Sequence, residues 1–399
     1  MLLSKKLASI APSSTLVMTQ KARQLRESGV DVISLSSGEP DFDTPDHIKQ
    51  AAMRAIEKGQ TKYTNVDGIP QLKDAICAKF KRDNGLTYSP DQINISPGGK
   101  AVIYNALIAS LNEADEVIIP APCWVSYPEM VRLAGGVPVL IQTNFAHRYR
   151  LTPESLARAI TPRTKWLFLN SPSNPTGQSY SRAELLALAD ILRAHPQVHI
   201  LTDDIYEHLL YDGGEFATIA QAAPELYPRT LTMNGVSKAY AMTGWRIGYA
   251  GGPPALINAM AKVMGQTTSN AASISQWAAL AALTGPQDFI ASSNATYTQR
   301  RDFVVERLNN IAGVNCPRPD GAFYVFPDCT ALMGKTTAAG TKLLTDIDLA
   351  ESLLTQAHVA TVPGSAFHSS PNIRISYSSD MQTLIKACDR IEEFCATLT

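Results

Sequence analysis

The sequence of 399 residues has no C-x-x-C pair, no repeat, no block of like charge and no apolar run of membrane length. These absences exclude solenoids, propellers and membrane spans. Six irregularly spaced cysteines are typical of reduced thiols rather than of a disulfide or zinc framework. The 35 Lys and Arg balance the 36 Asp and Glu, so nothing indicates nucleic acid or an anionic membrane as a partner. The start, MLLSKKLASIAPSS, lacks the apolar core of a signal peptide, and we predict a cytoplasmic protein.

Short apolar runs alternate with segments of helical period from about residue 45 to about residue 285. Strands are predicted at 32–38, 92–96, 116–120, 165–170, 198–202 and 230–234, with helices between several of them, such as 101–111 and 182–194. This alternation is typical of a mostly parallel sheet covered by helices. The later sequence differs, with a long helix around 297–311, the segments GAFYVFPDC and FHSSPNIRISYS, and a final helix. We predict an α/β fold with a large domain over residues 45–285, a smaller α+β domain over 286–399, and an N-terminal segment, 1–44, that packs with the small domain.

Polar and aromatic side chains follow the predicted strands, at the points where the strands end. Gly98, Gly99 and Lys100 come before a predicted helix, where backbone N–H groups can bind an anion. After the other strands come an aromatic ring, an amide, an acid, a phenol, a hydroxyl and two cations: Trp124, Asn174, Asp203, Tyr206, Ser237, Lys238 and Arg246. Each one alone is compatible with packing, a turn or a helix cap. Because ligands bind beyond the carboxyl ends of parallel strands, together they predict one binding site.

Lys238 and Arg246 are the two charged residues in the stretch TMNGVSKAYAMTGWRIGYAG at 232–251. A lysine in such surroundings loses hydration, which favours the neutral amine that attacks a carbonyl. An anion-binding helix start, a carboxylate and an arginine near such a lysine predict a planar, phosphorylated cofactor with a carbonyl group. Pyridoxal phosphate has these features and forms a Schiff base with lysine. We predict no metal site.

A further set of segments carries a family resemblance: SGEPDFDTP, TKYTNVDGIPQLK, PGGK, APCWVSYPEM, NSPSNPTG, TDDIYEHL, SKAYAMTGWRIG and NIRISYS, in that order along the chain. With these segments the sequence resembles the class I aminotransferases, which are pyridoxal-phosphate enzymes of fold type I. The resemblance covers essentially the whole chain. It is closest to the bacterial subgroup of aspartate and aspartate/prephenate aminotransferases.

The resemblance implies roles toward the cofactor. Lys238 forms the internal aldimine and moves a proton, Asp203 pairs with the pyridinium nitrogen, and Asn174 and Tyr206 hydrogen-bond the 3-oxygen. Trp124 stacks on the ring. The phosphate is held by Gly99, Lys100, Ser237 and Arg246 and, across a homodimer with shared active sites, by Tyr63 of the neighbouring subunit.

The resemblance also implies a transamination between an L-amino acid and a 2-oxo acid by a ping-pong mechanism. Arg374 holds the substrate α-carboxylate, Gly38 closes over it, and Trp124 and Asn174 also contact the substrate. Lys100 is predicted to bind a second carboxylate of the substrate, which favours aspartate or glutamate as amino donor, with 2-oxoglutarate or oxaloacetate as the 2-oxo acid.

Other functions stay open at this point. Trp124 and Tyr63 give the pocket apolar walls, which suits an aromatic amino acid or prephenate. Against prephenate, Ala11 stands where some prephenate-using relatives carry a lysine. A β-lyase that acts on cysteine conjugates would use the same lysine and cofactor. A transcriptional regulator with an aminotransferase-like domain is disfavoured, because the chain has no DNA-binding extension.

Three positions depart from the family pattern. Gly235 replaces a second hydroxyl residue before the lysine, so the phosphate site loses one possible donor. Asp204 stands where the segment D-E-x-Y usually has glutamate. Ala101 follows PGGK where close relatives often have glutamine.

Overall fold

The computed structural model describes residues 4, 7, 10 and 14–399. Ala11, which differs from the lysine of some relatives, lies outside the described residues. Among the helices that the structure describes, none is both long enough and apolar enough to cross a lipid bilayer.

The largest sheet in the described part of the chain has seven strands in the order β2-β8-β7-β6-β5-β3-β4. Their bounds are β2 Ile93–Ser96, β3 Glu116–Ala121, β4 Val137–Gln142, β5 Thr164–Asn170, β6 His199–Asp203, β7 Thr230–Gly235 and β8 Gly248–Gly251. β8 runs antiparallel to both of its neighbours, and the other pairs are parallel. The central strands β5, β6 and β7 are buried along nearly their whole length, which explains why they read as mostly apolar runs. The predicted α/β class with a mostly parallel sheet is confirmed.

Helices alternate with these strands: α2 Asp46–Glu57, α3 Pro70–Asn84, α4 Gly99–Ser110, α5 Ser126–Leu133, α6 Pro153–Ala159, α7 Arg182–Arg193, α8 Ile219–Ala222, α9 Pro254–Gly265 and α10 Ser273–Thr284. Sequence signals fix several of their ends. α7 begins with a capping box in which Ser181 and Glu184 each bind the other's backbone N–H. α3 ends at Gly85, whose φ of 65° is the left-handed conformation that suits a helix end.

The remaining helices and strands are α1 Ser14–Glu27, β1 Ile33–Ser34, α11 Asp288–Asn309, β9 Tyr324–Val325, α12 Asp346–Gln356, β10 Val359–Ala360, β11 Val362–Pro363, β12 Ile373–Ser376 and α13 Met381–Ala396. β11, β12 and β9 form an antiparallel sheet, and β1 pairs in parallel with β10. The early strand β1 thus lies against the late part of the chain. The division at residues 44/45 and 285/286 stays a prediction.

Two strands of the large sheet were not predicted. β4 lies at the sheet edge and is half-exposed, and Pro138 interrupts its apolar run. β8 reads GYAG and carries too few large side chains to give a strand pattern. Gly248 is required there, because a Cβ at this position would lie 2.4 Å from the backbone nitrogen of Gly99. The close approach brings the start of α4 against β8.

Candidate functional site

A pocket of about 480 Å³ lies beyond the carboxyl ends of the parallel strands. It collects the predicted site residues Gly38, Gly99, Lys100, Trp124, Asn174, Asp203, Tyr206, Ser237, Lys238, Arg246 and Arg374. Tyr63 is outside the pocket, and its side chain is 88% exposed. The sheet rule therefore brings together residues that are far apart in the sequence. Their individual roles stay predictions.

Lys238 follows β7 by three residues, and its ammonium donates a hydrogen bond to the carbonyl oxygen of Gly38. Burial lowers the pKa of Lys238 from its ordinary value of 10.5 to about 8. Of the surrounding charges, Glu39 acts in the opposite direction, while Arg374 and Arg246 lower the pKa further. The structure thus places an amine at the pocket base that is partly neutral near pH 8.

Asp203 ends β6 and is buried. Its carboxylate accepts a 2.6 Å hydrogen bond from the hydroxyl of Tyr127 and a 3.3 Å hydrogen bond from the backbone N–H of Ile205. Burial raises the pKa of Asp203 to about 6, and the Tyr127 hydrogen bond opposes that rise. A cationic partner in the pocket would stabilise the ionised carboxylate.

Tyr127 was not predicted as a site residue. It belongs to α5 and packs edge-on against Trp124, with ring centroids 5.3 Å apart. Its phenol orients the Asp203 carboxylate. Its place three residues after Trp124, in the segment APCWVSY, is the signal that could have pointed to it.

The start of α4 and Arg246 form a concave, cationic corner. Gly98 has a φ of 88°, and a Cβ on it would lie 2.2 Å from Nη2 of Arg246. Only glycine leaves room for the guanidinium against the helix start, where free backbone N–H groups favour an anion. Ser237 is buried in the same pocket and supplies a hydroxyl. These groups can hold a phosphate.

The departure at Gly235 has a structural reason. A Cβ at Gly235 would lie 3.0 Å from the carbonyl oxygen of Ile247 and 3.3 Å from Cα of Gly248. The close pairing of β7 with β8 therefore leaves little space for a hydroxyl side chain. Any phosphate at this site must be bound without it.

Lys100, in the first turn of α4, also lies in the pocket, with its ammonium 4.9 Å from the ring centroid of Trp124. Burial lowers the pKa of Lys100, and the positive charge of Arg246 adds to the effect. An anionic group on a ligand would act in the opposite direction and raise the pKa of Lys100.

Arg374 reaches the pocket from β12 and is buried. Nη1 donates to Oδ1 of Asn174 at 3.0 Å, and Nη2 donates to the carbonyl oxygen of Ser36 at 2.7 Å. Nε is buried and has no hydrogen-bond partner among the described residues. Such a fixed guanidinium with unused N–H groups is suited to a carboxylate.

Several pocket residues besides Tyr127 were not predicted: Thr19, Glu39, Asn170, Thr243 and Tyr324. Asn170 connects two strand ends, since its amide donates to the Asp203 carbonyl at 2.8 Å and accepts from the Asn174 N–H at 2.9 Å. Its position as the last residue of β5 was the available signal.

A buried ionic cluster continues from the Asp203–Tyr206 segment. Lys79 pairs with the carboxylate of Glu207 and donates to Oδ1 of Asn84 at 2.8 Å, and Asn84 donates to Glu207 at 2.7 Å. Within the described chain, Asp83, Glu207 and His208 are close enough to share a metal ion. The Lys79 ammonium already supplies the positive charge there, which favours a structural role.

Known proteins resemble this chain over its whole length. A sequence model of the family "Aminotransferase class I and II" matches residues 30–391. The aspartate/prephenate aminotransferase of Cereibacter sphaeroides is 58% identical over 397 residues, which cover 100% of this chain and 99% of the relative. The aspartate aminotransferase of Rhizobium meliloti is 52% identical over 396 residues, which cover 99% of this chain and 97% of the relative.

Solved structures agree with the sequence relatives. An aspartate aminotransferase from Rhizobium meliloti has a TM-score of 0.98 at 51% identity, with 100% of both chains covered. The aspartate aminotransferase from Thermus thermophilus with maleate has a TM-score of 0.91 at 43% identity, with 99% of this chain and 100% of that chain covered. The predicted family and fold type I are confirmed. The chain belongs to the class I and II aminotransferases.

Proposed function

We propose that the protein transfers an amino group between aspartate or glutamate and a 2-oxo acid, 2-oxoglutarate or oxaloacetate. The observation that carries this proposal is the presence of two cations, Arg374 and Lys100, in the pocket that also contains Lys238. Two carboxylates on one substrate match two cations. The names of the aspartate aminotransferases that resemble the chain support the same choice.

Pyridoxal phosphate is the cofactor expected for this family, and the residues present fit it. The corner formed by Gly98 and Arg246 would hold the phosphate, together with the Ser237 hydroxyl. Asp203 would face the pyridine nitrogen, with its carboxylate oriented by Tyr127. Bound pyridoxal phosphate supplies an aldehyde and an electron-accepting ring.

Lys238 would bind the cofactor aldehyde covalently and then accept and release protons. With a pKa of about 8, its Nζ accepts or releases a proton near neutral pH, whereas an ordinary lysine would stay charged. Asp203 holds negative charge in a buried place and would keep the ring nitrogen protonated. Arg374, fixed by Asn174, would orient the substrate through its α-carboxylate.

Prephenate is a second candidate, because the relative from Cereibacter sphaeroides is named an aspartate/prephenate aminotransferase. Aromatic walls support it, since Trp124, Tyr127 and Tyr324 line the pocket. A bulky 2-oxo acid with a second carboxylate would use the same two cations as aspartate.

Lys100→Met tests the substrate choice. We expect the second-order rate constant for single turnover with aspartate to fall about 10- to 100-fold, because a charge-assisted hydrogen bond is lost. The same constant with phenylalanine should change less than about threefold. Lys342→Met removes an exposed lysine that does not line the pocket and serves as the control. Equal losses for both amino acids would assign Lys100 to the phosphate or to structure. Ammonia release from a cysteine conjugate, without amino transfer, would indicate the lyase.

The proposal includes a cytoplasmic homodimer in which Tyr63 reaches the phosphate site of the second copy. Its support is the high exposure of Tyr63 in the single chain and of Met53 and Ile56 on α2. The six cysteines are free, as expected in a reducing compartment. Light scattering of the purified protein tests the assembly, and a monomeric mass with full activity would remove the shared site.

A further inference from the structure

Tyr324 is a pocket residue to which no sequence pattern drew attention. It begins β9, which pairs with β12 through the Ser376–Tyr324 register, and β12 carries Arg374. The side chain is buried and lines the pocket. A strand of the three-stranded antiparallel sheet thus brings a phenol to the proposed cofactor site.

The Tyr324 hydroxyl is 2.9 Å from the hydroxyl of Tyr206. Both phenols are buried, and burial raises the pKa of each, so both remain protonated near neutral pH. In such a pair one hydroxyl donates and the other accepts. If Tyr206 donates to the cofactor 3-oxygen, its own oxygen is left to accept from Tyr324.

The ring of Tyr324 makes a second contact. The guanidinium carbon of Arg374 lies 4.5 Å from the ring centroid, within cation–π range. Gly38 closes the remaining side, since a Cβ there would lie 3.2 Å from the Tyr324 hydroxyl oxygen. One side chain therefore touches the residue predicted to bind the cofactor oxygen and the residue predicted to bind the substrate.

We propose that Tyr324 is a positioning residue with two separable contacts. Its hydroxyl donates to Tyr206 and strengthens the hydrogen bond that Tyr206 makes to the cofactor. Its ring supports the Arg374 guanidinium and keeps it aimed at the substrate carboxylate. The inference rests on the proposed placement of the cofactor beside Lys238 and Tyr206.

Two substitutions separate the contacts. Tyr324→Phe removes the hydroxyl and keeps the ring, and Tyr324→Leu removes both. The readouts are the pH midpoint of the visible absorbance of the cofactor-loaded protein and the Kd of maleate, a dicarboxylate without an amino group. Tyr377→Phe is the matched control, because it removes another buried hydroxyl, which donates to the Ala322 carbonyl at 3.0 Å and does not line the pocket.

We expect Tyr324→Phe to raise the midpoint by about 0.5 to 1 pH unit, a 3- to 10-fold change in proton affinity, because Tyr206 becomes a weaker donor. The Kd of maleate should stay within about twofold. In Tyr324→Leu it should rise about 3- to 30-fold, because the cation–π contact is also lost. Adding Tyr324→Phe to Tyr206→Phe should give no further midpoint shift, since the acceptor is already absent.

The hydroxyl contact is overturned if the absorbance midpoint of Tyr324→Phe stays within about 0.2 pH unit of the wild type while the midpoint of Tyr206→Phe shifts. Equal Kd values in the Phe and Leu variants overturn the ring contact. A shift of the same size in Tyr377→Phe would assign the effect to general loosening and also overturn the inference. A wild-type protein without any titrating visible band is a separate result, because it contradicts the proposed function itself.

Discussion

The pKa of Lys238 determines how much neutral amine the protein offers, and it can be measured in the cofactor-free protein. Burial lowers this pKa from 10.5 to about 8. At pH 7.5, about one quarter of Lys238 would be neutral, against about one in a thousand for an ordinary lysine. The structure therefore predicts a roughly 250-fold larger neutral fraction at that pH, as the ratio of these two populations.

Two substitutions test whether neighbouring charges act on Lys238 as the structure indicates. Among the neighbouring charges, Glu39 raises the pKa of Lys238 most, so Glu39→Gln should lower the pH at which half of Lys238 is neutral, its titration midpoint. Arg246 lowers the pKa, so Arg246→Gln should raise the midpoint. Glutamine can still accept the hydrogen bond that Thr243 donates to Glu39 at 2.9 Å, which limits any change in loop structure.

Competitive acetylation of the cofactor-free protein, read by mass spectrometry, gives the neutral fraction of Lys238 against pH. A lysine model peptide, with a pKa of about 10.4, is the internal reference. A Lys238 midpoint above about 10 would refute the reasoning, because it would mean that the amine is hydrated as in an exposed lysine. Glu39→Gln and Arg246→Gln shifts in the same direction would refute the assignment of the charges.

Two further predictions concern stability. Lys79→Met should destabilise the protein by about 3–5 kcal/mol in denaturant unfolding, because the Glu207 carboxylate loses its buried cation, and adding Glu207→Gln should recover most of the loss. A loss below about 1 kcal/mol would show that the pair is hydrated. Burial raises the pKa of Asp204 to about 8, so between about pH 4 and 8 the folded state holds a proton that the unfolded chain releases, and stability falls as pH rises. Asp204→Asn should flatten this fall in melts at pH 5 and pH 8, and an unchanged slope would contradict the assignment.

The sequence was most informative about residues at the ends of parallel strands. Asn174, Asp203 and Lys238 each follow a strong apolar run, and parallel strands present their carboxyl ends at one edge, so their meeting could be predicted. Arg374 came from the family resemblance, since a short strand in an α+β region does not indicate which way its side chains point.

The missed residues lack such a rule. Tyr324 begins a strand of two residues, and its partner Tyr206 is 118 positions earlier. Glu39 lies in a loop between β1 and α2, where no periodicity constrains a side chain. Tyr206 and Tyr324 belong to one hydrophobic cluster assembled from distant parts of the chain, and a local hydrophobic pattern does not contain that pairing.

The burial of position 374 explains why an arginine suits it. Its guanidinium is buried, and burial lowers the pKa of Arg374, yet arginine stays charged where a lysine would lose its proton. Asn174 and the Ser36 carbonyl hold two of its N–H groups and fix the plane, while Nε stays without a partner among the described residues. The guanidinium is therefore desolvated and oriented when the protein folds, so that substrate binding does not bear that free-energy cost. Affinity at this position should depend on the fork geometry as much as on charge, which Arg374→Lys would lose.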